Sequence, residues 1–243
     1  AAAQKAAAAG LGSQVGSVTA IDPKTGAILA LAQSPSFDPN GLATHDAAAQ
    51  QDYYEKLSAD PNKPLLNRGL VQTVPPGSTF KLVTSAAALE NGYQPDSVLP
   101  GPAAYQLPGS TRQLNNWSNA PCGPEGKTTL ANALAISCNS AFAYLGNQLG
   151  DDALRTQAEK FGFGTSFDVP MTAATSRFPE DPDDAQTAMS AIGQFDVAAT
   201  TLQMAMVTAS IANGGKTMYP YLVNQVLAPD LTVLSQTQPR NFD

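Results

Sequence analysis

The sequence has few basic residues and no long apolar run, and each shortage argues against a class of protein. Thirteen Lys and Arg residues stand against twenty Asp and Glu residues, so the 243-residue chain carries a net charge of −7. This balance argues against nucleic-acid binding, because no basic stripe is present to neutralise phosphates. No stretch approaches the roughly 20 apolar residues that a membrane-spanning helix needs.

Metal-binding residues are also scarce. The only histidine, His45, is flanked by polar residues and lies far in sequence from both cysteines. We therefore expect no metal site and no cofactor. The two cysteines, Cys122 and Cys138, permit one disulfide, but their spacing alone is equally compatible with two inert thiols.

The composition is that of a globular protein with a substantial core. Hydrophobic residues make up 43% of the chain and charged residues 14%, which is typical of folded domains. Alternation and turn residues predict a hairpin with strands at 16–21 and 27–32. Apolar periodicity predicts helices at 1–9, 128–145, 151–161 and 198–212. Residues 93–127 show little periodicity and are predicted to form an irregular segment. Residues 221–234 are predicted to form a second hairpin.

The most informative stretch is residues 73–81, which contains Ser78 and Lys81. A Pro-Pro-Gly turn precedes Ser78, and small apolar residues follow Lys81, so a helix is predicted to begin at Ser78. Residues three apart share a helix face, and Lys81 can therefore reach the Ser78 hydroxyl. The free N–H groups and the dipole at the helix start favour negative charge near that hydroxyl.

Two interpretations of this stretch remain open. Burial of the lysine stem beside Phe80 and Val83 would lower the pKa of Lys81, as a lysine base requires. Ser78 would then be an activated nucleophile. Alternatively, Ser78 is an ordinary helix N-cap.

A second candidate motif is the segment Ser137-Cys138-Asn139, in a helical region rich in small residues. A break between two helices here would let both polar side chains point into one cleft. Ser137 could then relay a proton, and Asn139 could hold a substrate amide and hydrogen-bond Lys81. The alternative is a helix broken by local side-chain to backbone hydrogen bonds.

Together the two motifs resemble those of the penicillin-binding proteins. Ser-x-x-Lys followed, about sixty residues later, by Ser-x-Asn is part of the signature of a superfamily that also contains the serine β-lactamases. The chain is similar to the transpeptidase domain of class B penicillin-binding proteins, of the actinobacterial type. The similar phrases lie at residues 21–32, 35–40, 66–68, 76–81, 192–194 and 211–215.

The resemblance implies a fold and a role for each motif residue. The fold would be α+β, of the penicillin-binding and β-lactamase type, with an α-helical lobe and part of a central antiparallel β-sheet. Ser78 would be the acylated nucleophile and Lys81 its base, while Ser137 would assist proton transfer and Asn139 would contact the bound amide.

The resemblance also implies an extracytoplasmic location. The domain would be tethered to the bacterial membrane by an N-terminal helix outside this sequence. In that oxidising setting a disulfide between Cys122 and Cys138 is favoured. It would join the loop around Trp117 to the second motif.

The third family motif, Lys-Thr-Gly, does not follow Asn139. Lys24-Thr25-Gly26 lies in the first hairpin turn, which explains those residues without catalysis. Lys216-Thr217-Met218 lies in the expected half of the chain but lacks the glycine. We therefore expect residues 1–243 to be one transpeptidase domain that is incomplete at both ends, lacks the C-terminal strands and is inactive by itself.

The expected activity is peptidoglycan D,D-transpeptidation. A stem peptide ending in D-Ala-D-Ala would acylate the serine, an amine of a neighbouring strand would release it, and β-lactams would trap the acyl-enzyme. Other cell-wall synthesis or division proteins are the expected partners. Two alternatives stay open: a non-catalytic β-lactam sensor or inactive scaffold, and a β-lactamase, whose deacylating carboxylate would be one of Glu180, Asp181, Asp183 and Asp184.

Overall fold

The structure, a computed structural model that describes residues 2–242, combines α-helices with short antiparallel strand pairs. The helices are α1 (Ala2–Leu11), α2 (Ala47–Ala59), α3 (Arg68–Val71), α4 (Lys81–Glu90), α5 (Leu130–Ala135), α6 (Asn139–Leu149), α7 (Asp151–Lys160), α8 (Asp184–Ser190) and α9 (Thr201–Ala212). The strands are β1 (Gly16–Ile21), β2 (Ile28–Ser34), β3 (Val98–Pro100), β4 (Ala104–Gln106), β5 (Gln113–Asn115), β6 (Lys127–Thr129), β7 (Gln225–Leu227) and β8 (Val233–Gln236). Across residues 2–242, none of the helices is long and apolar enough to cross a bilayer.

The predicted N-terminal hairpin is confirmed. Strands β1 and β2 pair antiparallel, and the Asp22 carboxylate closes the turn by accepting hydrogen bonds from the backbone N–H groups of Lys24 and Thr25 at 2.9 and 3.0 Å. The hydroxyls of Ser17 and Thr19 lie 3.0 and 3.1 Å from that of Thr201. These contacts attach the hairpin to helix α9.

The stretch 93–127 is more regular than its sequence suggests. Strand β3 pairs with β6 and strand β4 pairs with β5, both antiparallel. Each of these strands is three residues long, which is too short to produce the alternation by which strands are recognised in a sequence.

Helix α4 lies between two apolar clusters. On one side Phe80 and Val83 pack with aromatic rings, and the ring centroids of Phe163 and Phe178 lie 5.6 and 5.9 Å from that of Phe80. On the other side Ala88 packs in a second cluster, which contains residues of α5 and α6. Phe80 and Val83 therefore fix the start of α4 by packing on one flank, and Ala88 fixes its later part by packing on the other.

Helix α9 begins later than predicted. The hydroxyl of Thr200 accepts from the N–H of Gln203 at 3.0 Å and caps the helix. The two preceding alanines, which were predicted as helical, instead exchange backbone hydrogen bonds with Arg177 and Val74. The predicted C-terminal hairpin is present, but its strands, β7 and β8, lie further along the chain than predicted.

Gly193 supports the turn that carries the first motif. Its carbonyl accepts from the N–H of Gly77 at 2.9 Å. Its φ is +70°, and a Cβ at this position would overlap the Gly77 carbonyl oxygen and lie 2.8 Å from the Gly77 nitrogen. Both the conformation and the close approach therefore require glycine here.

We predict that Gly193→Ala destabilises the fold by about 1–3 kcal/mol through backbone strain and contact with Gly77. Gly214→Ala is the matched control, because Gly214 also has a positive φ (+69°) but a Cβ at this position would meet no atom within 4 Å. Thermal unfolding of both variants measures the difference. Equal losses of stability in the two variants would show that the close contact between residue 193 and Gly77 adds no destabilisation beyond that of the positive φ.

Candidate active site

The first motif lies in a tight turn. Residues Gly77–Phe80 form a 3₁₀ helix, and helix α4 begins only at Lys81. The prediction that the α-helix begins at Ser78 is therefore wrong by one turn, since the chain enters α4 through the tighter winding that is frequent at helix starts. The Thr79 hydroxyl closes the turn by donating to the carbonyl of Pro76 at 2.7 Å, and Ser78 is exposed.

Lys81 joins the two motifs. Its Nζ donates to Asn139 Oδ1 at 2.7 Å, to the Ser137 carbonyl at 2.8 Å and to Ser137 Oγ at 3.0 Å. An ammonium group has three donors, and these acceptors use all of them. The predicted contact between Asn139 and Lys81 is confirmed.

Burial lowers the pKa of Lys81. The side chain is 1% exposed, and its Nζ lies 5.6 Å from the ring centroid of Phe142. Desolvation lowers the pKa from 10.5 to about 8. The sequence predicted this direction from Phe80 and Val83, but these two residues pack in the cluster on the other flank of α4, and Phe142 of α6 supplies the apolar contact near the ammonium.

The structure does not join Ser78 directly to Lys81. Among residues 2–242, the hydrogen bonds of Lys81 Nζ all go to the second motif. The Ser78 side chain is exposed to solvent, and the buried Lys81 lies one turn further along the chain.

The second motif lies in the predicted break between two helices. Helix α5 ends at Ala135 and α6 begins at Asn139, with Ser137 in a left-handed conformation at φ +57°. This conformation lets both the carbonyl and the hydroxyl of Ser137 face Lys81. Non-glycine residues rarely adopt it, and such strain is frequent at functional sites.

The structure joins the two cysteines in a disulfide. Cys122 and Cys138 are 7% and 2% exposed, and their Cα atoms are 6.0 Å apart. Cys138 lies between Ser137 and Asn139, so the bridge ties the loop that carries Trp117 to the second motif. Trp117 itself is 89% exposed.

Two asparagines at the site were not identified from the sequence. The carbonyl of Asn115 accepts from Asn139 Nδ2 at 3.1 Å. Asn116 is buried, and its Oδ1 accepts from the N–H of Ser140 at 3.0 Å. Their position beside Trp117 in a polar loop was the only available signal, and polar loops are usually solvated.

Neither alternative to the third motif lies at this site. Thr217 is 2% exposed, accepts from the Ser210 hydroxyl at 3.0 Å and donates to the carbonyl of Lys160 at 3.2 Å. It therefore links α7 to α9 inside the fold. Lys24-Thr25-Gly26 forms the turn between β1 and β2. Of the carboxylates considered for a β-lactamase, that of Asp183 caps helix α8.

This pairing of a serine near a helix start with a buried lysine bonded to a Ser-x-Asn turn is typical of serine acyl-enzymes. The family model described as "Penicillin binding protein transpeptidase domain" matches residues 16–242. The chain belongs to this family, and the predicted α+β class is confirmed.

Similar proteins come from mycobacteria and other bacteria. The chain is 50% identical over 225 residues to peptidoglycan D,D-transpeptidase PbpA of Mycolicibacterium smegmatis, covering 92% of this chain and 46% of that protein. The penicillin G acyl-enzyme complex of M. tuberculosis penicillin-binding protein A superposes with a TM-score of 0.93 at 43% identity, covering 98% of this chain and 56% of that one.

A more distant match is a structure of a peptidoglycan synthase complex, described as coordinating polymerization and crosslinking. Its TM-score is 0.79 at 33% identity, over 93% of this chain and 39% of that one. The chain therefore spans about half the length, or less, of these relatives.

The buried lysine predicts a specific pH dependence of stability. The pKa of Lys81 is about 8 in the folded protein, and its ordinary value of 10.5 applies to the unfolded chain. Between pH 8 and pH 10.5 the unfolded chain therefore binds more protons than the folded protein. The free energy of unfolding should therefore rise through this interval, relative to that of Lys81→Met, by on the order of 3 kcal/mol. Urea unfolding of both proteins from pH 7 upward measures the difference, and a difference independent of pH would contradict the lowered pKa.

The disulfide should stabilise both the fold and the second motif. It closes a loop with a sequence separation of 16, and for such a loop we expect Cys122→Ser with Cys138→Ser to cost about 3 kcal/mol. We expect the same double variant to leave the segment between Ser137 and Asn139 less constrained. Thermal unfolding measures the cost, and an unchanged unfolding temperature would show that the bridge does not stabilise the fold.

Proposed function

We propose that this chain carries the nucleophile of a peptidoglycan D,D-transpeptidase. The single observation that carries the proposal is the set of hydrogen bonds from Lys81 to Ser137 and Asn139, which unites both motifs at one buried cation. Membership of the transpeptidase family supports it. The proposed acyl donor is a peptidoglycan stem peptide ending in D-Ala-D-Ala.

In the first step Ser78 attacks the carbonyl carbon between the two D-Ala residues. Neutral Lys81 takes the serine proton, and its pKa of about 8 keeps part of the population neutral near physiological pH. The N–H groups at the start of the Gly77–Phe80 turn have no intrahelical acceptor, so that of Ser78 is available to the developing oxyanion. Asn139 Nδ2 has a second proton with which it can donate to the substrate amide.

In the second step the C–N bond breaks and the terminal D-Ala leaves as an amine. Ser137 Oγ, 3.0 Å from Lys81 Nζ, is placed to pass the proton from the lysine to the leaving nitrogen. An amine of a neighbouring strand then attacks the ester, forms the cross-link and returns a proton to Ser78. Atoms and charge balance without a cofactor.

β-Lactams would follow the same first step. Ser78 adds to the lactam carbonyl, the ring C–N bond breaks, and the ring nitrogen takes the proton that the serine lost. This nitrogen stays tethered to the acyl group, which slows release. The acyl-enzyme that the M. tuberculosis relative forms with penicillin G supports this extension to the present chain.

We also propose an extracytoplasmic location and a role among cell-wall synthesis or division proteins. The buried Cys122–Cys138 disulfide is of the kind found in oxidising compartments. The relative in a peptidoglycan synthase complex supports association with such proteins. A β-lactam sensor with the same nucleophile remains the alternative, and turnover of a D-Ala-D-Ala peptide distinguishes the two, because a sensor would be acylated without turnover.

Acylation by penicillin tests the proposal. The family's Lys-Thr-Gly motif has no counterpart between Asn139 and Asp243, so both this chain and a form extended C-terminally in its natural sequence are mixed with benzylpenicillin. We expect intact mass to show one adduct on the extended form, and peptide mapping to place it on Ser78. Ser78→Ala should abolish the adduct, whereas Thr79→Ala, which alters the neighbouring hydroxyl, should retain it.

Each other outcome has a definite meaning. An adduct on both forms would show that residues 1–243 suffice for acylation. An adduct that persists in Ser78→Ala would place the nucleophile elsewhere. A folded, extended form without any adduct would overturn the proposed chemistry and favour an inactive scaffold.

A further inference from the structure

We propose that Asn116 is a positioning residue that orients the side-chain amide of Asn139 toward Lys81. Asn116 touches neither Ser78 nor Lys81 through any hydrogen bond among residues 2–242. It acts through two neighbours, the Asn115 carbonyl on one side and the N–H of Ser140 on the other.

Asn116 is tethered at both ends of its amide and is 5% exposed. Its Oδ1 accepts from the N–H of Ser140 at 3.0 Å. Its Nδ2 donates to the carbonyls of Pro102 and Ala120, both at 2.9 Å. A buried amide with all these contacts satisfied cannot rotate without leaving polar groups unpaired.

The contact with Ser140 caps helix α6 from a distance. The N–H groups in the first turn of a helix have no intrahelical acceptor. Ser140 lies in that turn, directly after Asn139, and Asn116 supplies an acceptor from 24 residues upstream. The backbone that carries Asn139 is thereby held against the loop.

The neighbouring Asn115 carbonyl decides which end of the Asn139 amide faces the lysine. Asn139 Nδ2 donates to this carbonyl at 3.1 Å, and Oδ1 accepts from Lys81 at 2.7 Å. A flip of the Asn139 side-chain amide, which exchanges its oxygen and nitrogen, would place the NH₂ group against the Lys81 ammonium and the oxygen against the Asn115 carbonyl. Both contacts would then be repulsive, so one orientation is selected.

The disulfide cannot replace this arrangement. On the loop side the disulfide holds Cys122, which follows Ala120, whereas the Asn115 carbonyl lies at the start of the loop. Asn116 directly follows that carbonyl in the chain. The Ser140 hydroxyl donates at 2.7 Å to the same Pro102 carbonyl that Asn116 contacts, so the loop, the helix start and the Asn139 amide form one connected network.

The direct test is NMR of the Asn139 side-chain amide, assigned by its loss in Asn139→Ala. We expect Asn116→Ala to shift these proton signals toward those of a solvent-exposed amide. Asn132→Ala is the control, because Asn132 Nδ2 contacts Cys122 and Thr128 in the same region at 3.4 and 2.9 Å without touching the second motif. Unchanged Asn139 signals in Asn116→Ala, or equal shifts in both variants, would overturn the proposal.

A second, isosteric variant covers the case in which Asn116→Ala does not fold. Asn116→Asp keeps an oxygen for the N–H of Ser140, and its carboxyl, kept protonated by burial and by the facing carbonyls of Pro102 and Ala120, retains one O–H donor for them. We expect its Asn139 signals to remain closer to those of the parent protein than to a solvent-exposed amide. Signals at the exposed position would show that the contact with Ser140 does not orient Asn139.

The kinetic test is a double-mutant cycle, and it rests on the proposed function. In the form that reacts with benzylpenicillin, Asn116→Ala should slow acylation by about tenfold, but change the rate of Asn139→Ala by less than about twofold. If the acylation rate of the double variant fell by the product of the two single-variant factors, Asn116 would act independently of Asn139. If no form is acylated, the proposed function fails, and the NMR result alone decides the role of Asn116.

Discussion

The ammonium of Lys81 is the group on which the rest of the site depends. A cation that is 1% exposed has lost its hydration shell and must find acceptors inside the protein. It finds three, all from Ser137 and Asn139. Their positions require a left-handed residue between two helices and an asparagine in the first turn of the second. The break in the helical region therefore follows from the need to satisfy one buried charge.

The elements around this charge act to keep it desolvated. Helix α4 presents Lys81 from between two apolar clusters, and the Phe142 ring lies 5.6 Å from the ammonium. The lowered pKa is the electrostatic result of this packing. The same burial that destabilises the protonated lysine prepares it to act as a base, so the fold gives up some stability at neutral pH for reactivity.

A covalent bridge and a network of hydrogen bonds then fix the acceptors. The Cys122–Cys138 disulfide holds the backbone of the second motif, and Asn116 holds the start of α6 through Ser140. The two constraints act at different points of one loop. Together they hold the loop around Trp117 against the start of α6, next to the residues that accept hydrogen bonds from Lys81.

The sequence by itself determined the hairpin, the main helices and the four motif residues, because turn residues, apolar periodicity and i, i+3 spacing are local properties. It also indicated the break near Ser137. Only the tertiary structure decided which ring desolvates Lys81 and the part played by Asn115 and Asn116. These depend on segments that meet across 24 or more residues, and no local pattern records which polar loop residue will be buried against which helix.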